Sequence, residues 1–124
     1  MIAIIFIVGI TIGAMGSILL KIGAGHLGHI EIGSFQQMIQ FVFRLLTDLT
    51  ALAGMTMYFL SGLIWSYLLT KLDISFVQPI LALTYVATPI LAIVLLGEHV
   101  PLLRWVGIAV IVLGVVIVAR TSGA

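Results

Sequence analysis

Residues 73–98 read DISFVQPILALTYVATPILAIVLLGE, an uncharged run closed at each end by an acid, Asp73 and Glu98. A membrane-spanning helix needs about 20 mostly apolar residues, and this run supplies them. It also carries what plain oil would not: Gln78, Thr84, Tyr85 and Thr88, together with Pro79 and Pro89. On a helical wheel the four polar residues cluster on one side. Each proline deletes a backbone donor and loosens the helix. Carbonyls freed inside a membrane must be satisfied by protein or by cavity water. Any one of these residues fits two readings: it bonds a neighbouring helix beside a proline kink, or it faces a cavity. The stripe as a whole favours the cavity, so this span is expected to line a path across the bilayer.

The rest of the chain points to the same environment. The 124 residues, enough for a single domain over 1–124, are 63% hydrophobic and 7% charged, against about 25% charged in a soluble domain. The span within this stretch is expected over Ser75–Leu96, closed by Gly97 and Glu98, and three further spans are expected: Ile2–Leu20 closed by Lys21, Leu49–Thr70 closed by Lys71, and Leu102–Ala119 closed by Arg120. All nine charged residues fall at or beyond span ends, as the cost of charge in hydrocarbon requires. Met1 leads straight into apolar sequence without the basic stretch of a secretory signal, so the first span reads as retained. There is no cysteine, hence no thiolate metal site. The basic residues are dispersed, which argues against a nucleic-acid partner.

Between the first two spans, GAGHLGHIEIG reads as an irregular glycine-rich link. His26, His29 and Glu31 within it resemble a metal-ligand spacing only loosely. SFQQMIQFVFRLL then shows helical periodicity, with Gln36, Gln37, Gln40 and Arg44 on one face and Phe35, Met38, Ile39, Val42 and Leu46 on the other. Ser34 with Gln37 fits a capping box, and TDLT at 47–50 offers a second N-cap. The expectation is a short amphipathic helix lying in the membrane interface before span two. Gly97 suits the end of span three and Pro101 the first turn of span four, making the two antiparallel neighbours. TSGA at the end reads as a frayed tail. Lys21, Arg44 and Arg104 on one side against Lys71 and Arg120 on the other leave almost no orientation bias.

Small and polar residues mark faces on the other spans. Gly54, Tyr58, Ser61, Gly62 and Trp65 share one side of span two. They fit a substrate wall, or ordinary packing with Trp65 and Tyr58 as core or interface aromatics. Gly9, Gly13, Gly16 and Ser17 share a flank of span one that ends at Lys21. That flank suits close helix packing or room for a ligand, and Lys21 suits a snorkelling anchor or an anion contact. Gly107 and Gly114 form a contact strip on span four for dimer or helix packing. The candidate pathway is therefore Gly13, Ser17, Lys21, Tyr58, Ser61, Trp65, Gln78, Tyr85 and Thr88. Lys21, Arg44 and Arg104 are candidate phosphate contacts at an interface. No catalytic set or cofactor motif is present, so neither an enzyme nor a cofactor is expected.

KLDISFVQPILALTYVATPILAIVLLGEHVPLLRWVGIAVIVLGVVIVAR at 71–120 resembles the closing half of an EamA-type unit of the drug/metabolite transporter superfamily, and GSILLKIGAG at 16–25 looks like the end of its first helix. The likeness is looser over the amphipathic insert. It implies an all-α membrane domain of four spans in a bacterial inner membrane, working as a homodimer or with a related four-helix chain. Two groups of this size are similar. Small multidrug resistance proteins exchange protons for cations through a glutamate eight residues before a lysine. Here the lysine matches Lys21 and the glutamate's place holds Gly13, which argues against proton-coupled cation export. A cation pocket in lipid wants a buried carboxylate, and no span has one. The other group comprises small flippases for sugar-linked undecaprenyl phosphate. A neutral polar path with basic residues at its mouths suits such a lipid. Alternatives are an exporter of small amines and a non-transporting partner subunit.

Overall fold

The computed structural model describes residues 1–28 and 31–123. Six helices follow one another among them: α1 (Ile2–His26), α2 (Phe35–Thr47), α3 (Leu49–Leu69), α4 (Ile74–Leu81), α5 (Thr84–Leu96) and α6 (Leu102–Ala119). No strand occurs among the described residues. Four stretches are long and apolar enough to cross a membrane: α1, α3, α4 with α5 taken together as Ile74–Leu96, and α6.

Local chemistry places several boundaries where the sequence does. Ser34 caps α2 by accepting from the Gln37 N–H at 3.3 Å, while Gln37 Oε1 reaches back to the Gly33 N–H at 2.7 Å. The reciprocal bond thus lands one residue upstream of the usual capping-box donor. Asp48 ends α2 and starts α3, accepting from the Ala51 N–H at 2.9 Å. Gly97 takes φ 67°, a left-handed turn that glycine adopts without a Cβ clash.

Two expectations need correction, and the expected loosening of the third span takes a definite form. The first span does not close at Lys21; α1 runs on to His26, taking Gly23 and Gly25 into the helix. Packing outweighs glycine's poor helix propensity there. Gly23 is buried so closely on α3 that a Cβ would lie 2.5 Å from the Ala51 nitrogen. The third span is not one continuous helix. Between the prolines the ladder tightens to three-residue turns, with the Ala82, Leu83 and Tyr85 N–H groups bonding Pro79, Ile80 and Ala82 carbonyls. Finally, the tail is docked through Gly123, whose carbonyl accepts from the Asp73 N–H at 2.7 Å and so satisfies a donor at the start of α4. Ala124 and the His29 of the HLGH motif lie outside the described residues. His26 bonds Asp48 at 2.9 Å.

α1 is the organising helix, packing along α3 and against α5, while α6 rests mainly on α4 and only lightly on α5. The two helices joined by the Gly97 turn therefore part from one another more than plain antiparallel neighbours would. Phe6, Leu68, Val77, Ile80 and Val115 form the buried cluster, drawing α1, α3, α4 and α6 together at the end of the bundle that holds the α1 N-terminus. At the opposite end α5 leans on α1. No residue of α2 is buried, and its Phe35, Met38, Ile39, Val42 and Phe43 stay exposed on one apolar face.

The Asp48 joint carries a pH dependence. The Ala51 N–H, then His26, hold its carboxyl below the ordinary carboxylate value. A lowered pKa means that the fold favours the ionised form. Its contribution is full above the ordinary value and is lost as pH falls through the lowered one. Asp48→Ala is expected to lower the unfolding midpoint in detergent at neutral pH. The gap to wild type should shrink as pH is taken into the acid range. A gap independent of pH would show that the carboxylate charge plays no part.

Candidate functional site

A cavity of about 390 Å³ opens where α1, α3 and the α4–α5 break meet. Gly13 forms its floor on α1. Tyr58, Ser61, Gly62 and Trp65 line it from α3, Gln78 and Leu81 from α4, Ala82 from the break, and Thr84 and Tyr85 from the first turn of α5. The helical period explains the α3 wall, since residues 58, 61, 62 and 65 recur at three- and four-residue steps. The break explains the opposite wall, because it brings the end of one short helix and the start of the next to one place.

Ser61 is the best-fixed polar group. It is 3% exposed, donates to the Gly9 carbonyl at 3.2 Å and accepts from Trp65 Nε1 at 2.9 Å. The Trp65 ring also packs against Phe6, with centroids 5.7 Å apart. Trp65 thus both packs in the core and lines the cavity. Tyr58 and Tyr85 are less enclosed, being 45% and 64% exposed. Tyr58 OH meets Ser17 Oγ. Ser17 Oγ also donates to the Gly13 carbonyl at 3.1 Å, so its single proton is committed and the Tyr58 hydroxyl is the donor between them. All the lining residues are uncharged. The site offers hydroxyls, one amide and aromatic faces within a largely apolar lining.

Of the residues singled out from sequence, Gly13, Tyr58, Ser61, Trp65, Gln78 and Tyr85 come together at this cavity. Ser17 adjoins it through Tyr58. Lys21 lies further along α1 and forms an ion pair with Glu98. Thr88 is half-buried on α5, outside the lining. Arg44 and Arg104 are exposed, on α2 and the first turn of α6, and neither lines the cavity. Gly107 and Gly114 are exposed with open space where a Cβ would go. The candidate pathway set omitted Gly62 and Thr84, though both were seen on these faces, and the pairing of Glu98 was not foreseen. Glu98 could have been found as the acid lying on the same side of the chain's path as Lys21.

Lys21 and Glu98 have unequal surroundings: the lysine side chain is 62% exposed and the glutamate 31%. The pair joins α1 to the turn beyond α5 at the end where His26 joins α1 to Asp48. No family model, curated protein or solved structure matches the chain.

Proposed function

We propose that this chain is a small membrane transporter of the drug/metabolite type, and that its substrate is a lipid with a phosphate-linked polar head, such as a sugar-linked polyprenyl phosphate. The observation that carries the reading is an uncharged cavity, largely apolar with a few hydroxyls and one amide, at a broken helix midway along stretches long enough to span a membrane. Irregular backbone at that depth is tolerated where it lines a cavity, and broken helices at binding sites recur among transporters. The cavity is partly open, and two of its lining residues, Tyr58 and Tyr85, are exposed. A lipid tail can stay in hydrocarbon through that opening while the head occupies the cavity. Its volume falls within the ordinary range for small-ligand sites, about 300–1,000 Å³.

A second copy or a related four-helix chain covers the open side, and the bacterial inner membrane is the proposed location. The α2 apolar face lies in the interface on one side. An exporter of cations is the weaker reading, because no cavity residue carries a negative charge to hold one.

The test is reconstitution into liposomes carrying a fluorescent polyprenyl-phosphate sugar, with leaflet exposure followed by a quencher that does not cross the bilayer. The purified chain is expected to speed the exchange of this lipid between leaflets. Gln78→Ala and Tyr85→Ala should each slow exchange about three- to tenfold, the loss of about one hydrogen bond or stacking contact. Neither should prevent insertion. Proton-driven uptake of a hydrophobic cation, with no lipid exchange, would favour the exporter instead.

A further inference from the structure

Gly13, Ser17 and Lys21 recur every four residues, so they form one strip along α1, with Lys21 about 12 Å from the cavity floor at 1.5 Å per residue. Two contacts cross this strip. Tyr58 reaches over from α3 to Ser17, and Glu98 reaches back from the turn beyond α5 to Lys21. Both contacts lie on the strip between the cavity and this end of the bundle. We propose that the Lys21–Glu98 pair is an exchange gate, in which the phosphate of the lipid takes the place of Glu98 on Lys21 and so releases α5 from α1. The phosphate part of this inference rests on the lipid reading above.

Three observations support it. α5 is bounded by the break at Ala82–Leu83 on one side and by left-handed Gly97 on the other, and Pro89 lies within it. Its hold on the bundle is chiefly through α1, since it touches α6 only lightly. The pair is also asymmetric: the lysine is open to an incoming anion, while the carboxylate is the more enclosed partner. Exchanging one anion for another keeps the lysine compensated throughout. With its lysine mostly exposed, the pair is a weak latch of the surface kind, which a competing anion can displace. A neutral head group offers Lys21 no replacement for the Glu98 charge. Glu98 becomes a specificity-determining residue as well as a latch.

The absence of cysteine permits a direct test. Ser17→Cys places a single thiol just inside the gate, and its reaction with a membrane-impermeant reagent added from the Lys21 end reports opening. In liposomes, polyprenyl phosphate is expected to raise the labelling rate at least fivefold, and a neutral polyprenol to leave it unchanged. Glu98→Gln should raise labelling to a similar level without lipid. Lys21→Gln should do the same and remove the response to polyprenyl phosphate. The swap Lys21→Glu with Glu98→Lys should restore slow labelling, which separates a broken latch from a misfolded chain. Labelling in Glu98→Gln equal to that of the Ser17→Cys parent overturns the gate, even if the parent exchanges lipid. Labelling raised by Glu98→Gln in a parent that exchanges no phosphate lipid keeps the latch and removes the lipid reading.

Discussion

Gly54→Leu is expected to prevent the helices from assembling into a stable bundle in detergent, while Gly107→Leu leaves the bundle intact. The difference lies in what the added carbon meets. At Gly54 a Cβ would lie 2.7 Å from the Leu20 nitrogen and 2.8 Å from the Gly16 carbonyl oxygen. At Gly23 it would lie 2.5 Å from the Ala51 nitrogen. These obstacles are backbone atoms and cannot rotate aside, so α1 and α3 must separate along their whole seam. Ordinary overpacking costs about 1–3 kcal/mol when side chains can yield. Here the cost should exceed that range and lower the unfolding midpoint by about 10 °C or more. Gly107 and Gly114 have nothing within 4 Å of the place a Cβ would occupy. Leucine there should leave the midpoint of the single subunit unchanged. If a second copy packs on that face, cross-linking of the dimer should fall with Gly114→Leu while the subunit stays folded. Equal midpoints for Gly54→Leu and wild type would mean that α1 and α3 do not pack this closely.

The α1–α3 seam also shows what can be read from a sequence of this kind. Gly9, Gly13, Gly16 and Gly54 were visible as small-residue faces because helical spacing alone aligns them. The bounds of α6 were visible because Gly97, Pro101 and Arg120 punctuate both ends. Ser34 and Asp48 announced their helices through capping chemistry. Other features depend on distant partners. Gly23 and Gly25 look like a loop until Ala51 is seen packed against Gly23. The prolines foretell a weak helix, but not where between them it breaks. Thr88 belonged to the right stripe and still falls outside the cavity, because the cavity ends at the first turn of α5. Glu98 looked like a charge left in a turn. Its pairing with Lys21 requires the first and third spans to be neighbours, which no local pattern states.

Gly62→Leu should lower lipid exchange at least tenfold without loss of stability. Gly62 lines the cavity from α3, yet nothing lies within 4 Å of the place a Cβ would occupy. The leucine therefore enters the cavity rather than a packed seam, and leucine favours a helix where glycine weakens it. Four carbons in this space displace the water or head group that the polar wall would hold. Gly107→Leu adds the same group to a lipid-length helix away from the cavity, and so controls for added hydrophobicity. Gly13→Leu is a poorer test, because its first carbon would sit 3.1 Å from Ser61 Oγ and disturb the bond to Trp65. Stability and transport would then fall together. With Gly62→Leu the two measurements separate: an unchanged unfolding midpoint with exchange slowed at least tenfold places the moving head group between Tyr58 and Tyr85. Unchanged exchange in a folded Gly62→Leu chain means that the lipid moves elsewhere, and the polar residues around Ser61 serve to hold the helices together.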